Sequence, residues 1–182
     1  MRHIIIGLLC IFIFSSCTTT TVEQEKLKPV NISVNGYPTR YKEAMGQYSF
    51  GLAVCEELPS AWIADIIKKP ILSTEDFNTQ DNTGCKYITD TSSKDGIMVV
   101  VNYLEAENQK KGQQILGRII TTDPNIKMDH FIAKQEDGNI NAIYLVLAPK
   151  KFVRVDRTSV KVADNDTMLI LATRIAEVIK PQ

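Results

Sequence analysis

This chain has almost no histidine. Two occur in 182 residues, and His3 sits in the N-terminal lead, which leaves His130 as the one imidazole in the body of the protein. There is no Cys-x-x-Cys and no His-Glu-x-x-His, so two thiols and one imidazole make a poor zinc site, and no metal or cofactor is expected. Gly-x-Ser-x-Gly and the phosphate-binding P-loop are also missing, which removes the common signatures of hydrolases and nucleotide enzymes. Net charge is missing too. Lys plus Arg and Asp plus Glu each number 21, so nothing resembles the basic footprint of a nucleic-acid binder, and no such partner is expected. No apolar run approaches the roughly 20 residues of a membrane-spanning helix.

What is present starts at the N-terminus. Met1-Arg2-His3 is a basic start, Ile4 to Phe14 is an apolar run of eleven residues, and Phe14-Ser15-Ser16-Cys17 closes it. That is the layout of a secretory signal with small residues before the cut. The closing tetrapeptide resembles the lipobox of bacterial lipoproteins, although Phe14 stands where an aliphatic residue is usual. The resemblance implies cleavage before Cys17, acyl chains on Cys17 and a protein held to a membrane through its N-terminal lipid. Thr18 stands where an Asp would retain a lipoprotein in the inner membrane of a Gram-negative cell, so the resemblance implies the outer membrane, facing the periplasm or the exterior.

On this reading residues 1–16 are the signal peptide, 17–36 the lipidated N-terminus and flexible tether, and 37–182 a single domain. Removing residues 1–16 of the 182 leaves 166, enough for one core. Thr18 to Pro29 is polar and aperiodic and has little to bury. About 20 flexible residues reach roughly 25 Å, which clears the lipid headgroups. With Cys17 acylated and Cys10 removed, Cys55 and Cys85 remain. An even pair in an oxidising compartment reads as a disulfide.

The pattern of the domain is α+β. Val30 to Val34 alternates as a short strand, and Tyr48 to Val54 reads as another. Leu58-Pro59 opens a helix whose apolar stripe is Leu58, Trp62, Ile63, Ile66 and Ile67, ended by Lys68-Lys69-Pro70. Ser73 to Gly84, rich in Asp, Asn and Thr, reads as a surface loop. Cys85 to Thr89 and Ile97 to Leu104 form a hairpin. A helix is predicted from about Ala106 to Ile120, with Ile115, Leu116, Ile119 and Ile120 buried. Met128 to Gln135 and Ile140 to Ala148 flank Asp137-Gly138, which predicts a tight primed turn. Phe152 to Thr158 adds a strand. The last helix runs from about Asp166 to Lys180, capped by Asp164 or Asn165. The expected fold is a mostly antiparallel sheet of about five to seven strands covered by about three helices. This order resembles the Mog1/PsbP-like folds. Cys55 before the first helix and Cys85-Lys86-Tyr87 in a strand resemble small cysteine-paired lipoproteins of unknown function, a resemblance that implies no activity.

Two clusters are candidates for chemistry. His130, in Met128-Asp129-His130-Phe131, would need a carboxylate and a nucleophile such as Ser159 to act as a catalytic base. Neighbours on a strand face opposite sides, so Asp129 is badly placed to orient it. Lys150, Lys151, Arg154 and Arg157, with Lys161 beyond them, are the candidate binding patch for lipid phosphate, peptidoglycan carboxylates or an acidic protein, but alternation divides Arg154 from Arg157. The expected function is therefore a non-enzymatic binding or assembly module of the envelope, with a protein or peptidoglycan partner. The alternatives are a carrier of small apolar ligands and a hydrolase using His130. An exposed apolar patch would favour the first, an enclosed pocket the second, and His130 bonded to a carboxylate the third.

Overall fold

A computed structural model describes residues 54–179, together with the main-chain course of 30–32, 41–44, 47–50 and 180–181. The lipobox-like Phe14-Ser15-Ser16-Cys17, the threonine run and most of the stretch expected as a tether lie outside the described residues. Three short strands come first, β1 (Val30–Ile32), β2 (Tyr41–Ala44) and β3 (Gln47–Phe50). Then follow α1 (Val54–Glu57), α2 (Ser60–Ile67), β4 (Ser73–Asn78), β5 (Asn82–Asp90), β6 (Asp95–Asn102) and α3 (Ala106–Ile115). The chain finishes with β7 (Ile119–Thr121), β8 (His130–Lys134), β9 (Ile140–Ala148), β10 (Lys151–Arg157), α4 (Asn165–Val178) and β11 (Ile179–Pro181). β2 and β3 pair with each other, and β1 lies parallel to β11.

The other strands make one open, fully antiparallel sheet of seven, in the order β4-β5-β6-β10-β9-β8-β7. Two meanders meet where β10 returns to pair with β6. α3 carries the chain from the middle of the sheet to its far edge. The fold is α+β, with four helices where about three were expected, because Val54–Glu57 makes a helical turn of its own.

The main core lies on the face covered by α1, α2 and α4. Cys85, Tyr87, Val99, Val101, Val153, Val155, Ile143 and Leu145 alternate into it from four adjacent strands, and Ile63, Met168, Leu171 and Ile175 meet them from the helices. The stripes read from sequence for α2 and α4 are the buried ones, with Trp62 and Ile66 half-buried at the rim. α4 begins where the Asp164 carboxylate accepts the Thr167 N–H at 2.8 Å, and that bond holds the Asp164 carboxyl below its usual range.

A clamp fastens α1 and α2 to β5. A disulfide joins Cys55 to Cys85, with Cα atoms 5.1 Å apart. Two residues along β5, on the same face, the buried Tyr87 hydroxyl donates to the Leu58 carbonyl at 2.8 Å and approaches the Val54 carbonyl at 3.3 Å. Gly96 sits where β6 passes a bulge in β5, and a Cβ there would lie 2.1 Å from the Tyr87 carbonyl oxygen. Only glycine fits that approach.

Four sequence expectations need correction. Ser73 to Gly84 is not a loop: Ser73–Asn78 pairs with β5 as an edge strand, polar because solvent bathes it, while Phe77 lies over Gly84. The helix from Ala106 stops at Ile115. Gly117, at φ +74°, places its N–H on Gln114 O and the Arg118 N–H on Gln113 O, the two bonds of a Schellman ending. Ile119 and Ile120 therefore belong to a strand. The turn at Asp137-Gly138 is not a primed two-residue turn. Gly138 N–H bonds Gln135 O, Gln135 N–H bonds Asn139 O, and only Gly138 has a positive φ, which is a type I turn followed by a left-handed glycine. Finally, Val54 belongs to α1, while the strand before it ends at Phe50.

Candidate functional site

The second face of the sheet decides what the surface offers. Here Phe131, Ala133, Ala142, Tyr144 and Phe152 form a small cluster with Ala106. Phe131 and Tyr144 stack with centroids 4.4 Å apart, and Phe152 meets Tyr144 edge-on at 5.6 Å. α3 covers this cluster with a polar side. Gln109 donates to the Tyr144 hydroxyl at 3.3 Å, and Gln113 is buried with its side-chain oxygen unpartnered. Next to it, Arg118 Nε and Thr121 Oγ1 are also buried without a hydrogen-bond partner.

The apolar residues of the same segment point outward. Ile115 is 85% exposed, Leu116 68% and Ile119 51%. Helix phase turns Ile115 outward, since it lies two residues beyond the buried Gln113 and so about 200° round the axis of α3, and the Schellman ending redirects the chain before Ile119. The three residues mark an apolar corner at the C-terminal end of α3 and the start of the edge strand β7, with Lys111 and Arg118 near them in sequence. The sequence reading had these residues buried, whereas the face of α3 turned to the sheet is the one that carries Ala106 and Gln113.

At the other end of α3 lies a half-open groove of about 400 Å³. Ala106, Phe131 and Val146 supply apolar surface, Pro149 closes one end, and Glu105, Glu107, Asp129 and Lys110 supply charge. The Ala106 N–H to Pro149 carbonyl bond fixes α3 against the end of β9. Two of the acids are partly compensated, Glu105 by Lys150 at 3.3 Å and Glu107 by Lys110 at 3.9 Å.

His130 lines this groove, yet both its ring nitrogens face main-chain groups. Nδ1 lies 2.8 Å from the Met128 carbonyl, and Nε2 accepts the Asp123 N–H at 2.9 Å. An imidazole placed in this way carries its proton on Nδ1 and splints the Asp123 to His130 loop. Ser159 lies in the loop after β10, where its hydroxyl accepts the Lys161 N–H.

The four basic candidates are scattered. Lys150 is exposed and paired with Glu105. Lys151 is 1% exposed, its ammonium 5.1 Å from the Tyr103 ring centroid, and burial pushes it down to about 8. Arg154 pairs with Asp156 at 2.8 Å on the second face, where burial still raises the Asp156 carboxyl. Arg157 donates to the Ala163 carbonyl and to Asn165 Oδ1 at the start of α4. The structure does not bring them into one patch.

Among the described residues no cluster of His, Cys, Asp and Glu is arranged to hold a metal ion, and no helix is long and apolar enough to cross a membrane. No protein family, curated protein or solved structure matches the chain.

Proposed function

We propose that this chain is an envelope lipoprotein, anchored through an acylated Cys17 in the outer membrane, whose α+β domain is a non-enzymatic assembly module that docks a protein through the corner between α3 and β7. The lipobox-like Phe14-Ser15-Ser16-Cys17 supports the anchor. One observation carries the docking: Ile115, Leu116 and Ile119, close in sequence at the end of α3, are 85%, 68% and 51% exposed. Contiguous apolar surface left outside marks a contact site. The carrier reading has the apolar floor of the groove in its favour, but charged groups rim that groove and it is half-open. The hydrolase reading needs a carboxylate on His130, and the ring is engaged by Met128 and Asp123 instead.

Intact mass and membrane fractionation of the native protein, with a Cys17→Ser control, test the anchor: an acylated wild type in the membrane and a non-acylated variant are expected. A photo-reactive benzophenone residue at Leu116 tests the docking. It is expected to give a defined protein adduct, while the same group at Val160, exposed elsewhere, gives none. An unmodified wild type refutes the anchor, and identical labelling at both positions refutes the corner.

A further inference from the structure

His130 is the first residue of β8, and its ring ties together two parts of the loop that leads into that strand from β7. Nδ1–H donates to the Met128 carbonyl at 2.8 Å, and Nε2 accepts the Asp123 N–H at 2.9 Å. The second half of the loop has other supports: Ile126 is buried in the main core, Met128 packs against it, and the Asp129 carbonyl accepts the Val146 N–H at 2.8 Å. The first half turns on itself, with the Asn125 N–H on Asp123 Oδ1 and the Ile126 N–H on the Asp123 carbonyl. The bond to Nε2 fastens this turn to the sheet.

We infer that this ring is an acid-operated latch on the loop: the neutral imidazole holds Asp123, and protonation releases it. Hydrogen-bond polarity is the reason. Only the neutral ring has an acceptor nitrogen, and in the imidazolium both nitrogens carry hydrogens, so a proton added at Nε2 faces the Asp123 N–H, donor against donor. The ring and the turn must then part. The groove at the end of α3 gives the charged ring somewhere to go. Glu105 ahead of α3, Glu107 on it and Asp129 beside the ring line the same groove, with Lys110 as its one lysine, and Glu105 and Glu107 are each shared with a lysine. Asp123 and Lys127 add one charge of each sign from the loop itself, while β9 presents apolar Leu145, Val146 and Leu147. A released imidazolium therefore has carboxylates to meet, whereas in its observed position it has a facing donor. Two arrangements of one ring, each suited to one protonation state, make a two-state element. Acid loosens the loop and adds a positive charge to the groove that His130 lines.

The test follows the ring and the Asp123 amide together, by heteronuclear NMR of the full-length chain in detergent, over the range from about pH 8 to about pH 5 in which histidine ordinarily changes charge. At the alkaline end the ring is expected as the Nδ1–H tautomer, with the Asp123 amide protected. As the ring takes up its proton, exchange of that amide, corrected for its intrinsic pH dependence, is expected to quicken roughly tenfold or more, while the Val146 amide keeps its protection. His130→Gln supplies a side-chain oxygen that can accept the Asp123 N–H but takes no proton, and it leaves every carboxylate in place. Its Asp123 amide is expected to exchange at one corrected rate throughout. An Nε2–H tautomer, a ring that stays neutral down to about pH 5, or a protonated ring with an unchanged Asp123 amide overturns the inference. So does a variant that loses the same protection in acid, because carboxylates and not the imidazole then drive the release. If the variant fails to fold, the wild-type titration decides alone.

Discussion

Opening the Cys55–Cys85 bridge should loosen one identifiable part of the protein first. The bridge closes 30 residues, and by chain entropy alone a loop of that size is worth about 3.6 kcal/mol. With a urea slope of about 2 kcal/mol/M, Cys55→Ala/Cys85→Ala would lower the midpoint by about 1.8 M. Tyr87→Phe removes the other half of the clamp. It leaves the Leu58 carbonyl without that donor and should cost about 1–2 kcal/mol. Because both attachments hold the same two helices, their costs should not add: once the bridge is gone the helix pair frays, and the hydroxyl has less to hold. Trp62, the one tryptophan, lies half-buried on α2, so its fluorescence reports on the clamp while far-UV circular dichroism reports on the whole domain. In the bridge-free variant the fluorescence midpoint should fall below the dichroism midpoint. Coincident transitions shifted by less than about 1 kcal/mol would refute the reasoning, since α1 and α2 would then be held by packing alone.

Replacing Gln113 by Leu removes a buried oxygen that has no partner and should raise stability by about 1 kcal/mol in urea unfolding. Asp164→Ala should destabilise the protein through the lost cap on α4, read as a lower urea midpoint, and because that carboxyl is held low, the wild type should lose the cap's contribution only as pH falls through its depressed folded value. Lys151 gives the same sign on the alkaline side. Its folded value of about 8 lies below its ordinary one, so the unfolded chain binds the extra proton between them and the urea midpoint should rise as pH climbs above about 8. Lys151→Met should flatten that rise. Gly96→Ala should fail to give a cooperative thermal transition, since its Cβ would meet the Tyr87 carbonyl oxygen at 2.1 Å.

Much of the fold was legible because burial wrote it directly. Val99, Val101, Val153 and Val155 alternate, and Met168, Leu171, Ala172 and Ile175 recur at helical spacing, so the strands and α4 follow from period alone. The disulfide followed from counting thiols. β4 was hidden because an edge strand in solvent has the composition of a loop: Ser73, Thr74, Glu75 and Asp76 satisfy the sheet with main-chain groups, which composition does not record. The apolar corner was hidden for a related reason. Ile115 and Leu116 look like a buried helical stripe, but the face of α3 turned to the sheet is the polar one with Ala106 and Gln113. Of the candidate site residues, His130 was legible as a position but not as a splint, because both its partners are main-chain groups. The basic run dispersed because neighbours on β10 face opposite sides and Arg157 turns toward the loop before α4.

The unequal edges of the sheet, charged β4 and uncharged β7, limit how far any assembly can grow. A sheet with two bare edges can accept a neighbour on each side without end. With Glu75 and Asp76 on β4, growth has only one place to start. A chain that added to the β7 side would leave β4 as the outer rim, a carboxylate-bearing strand that discourages a further neighbour.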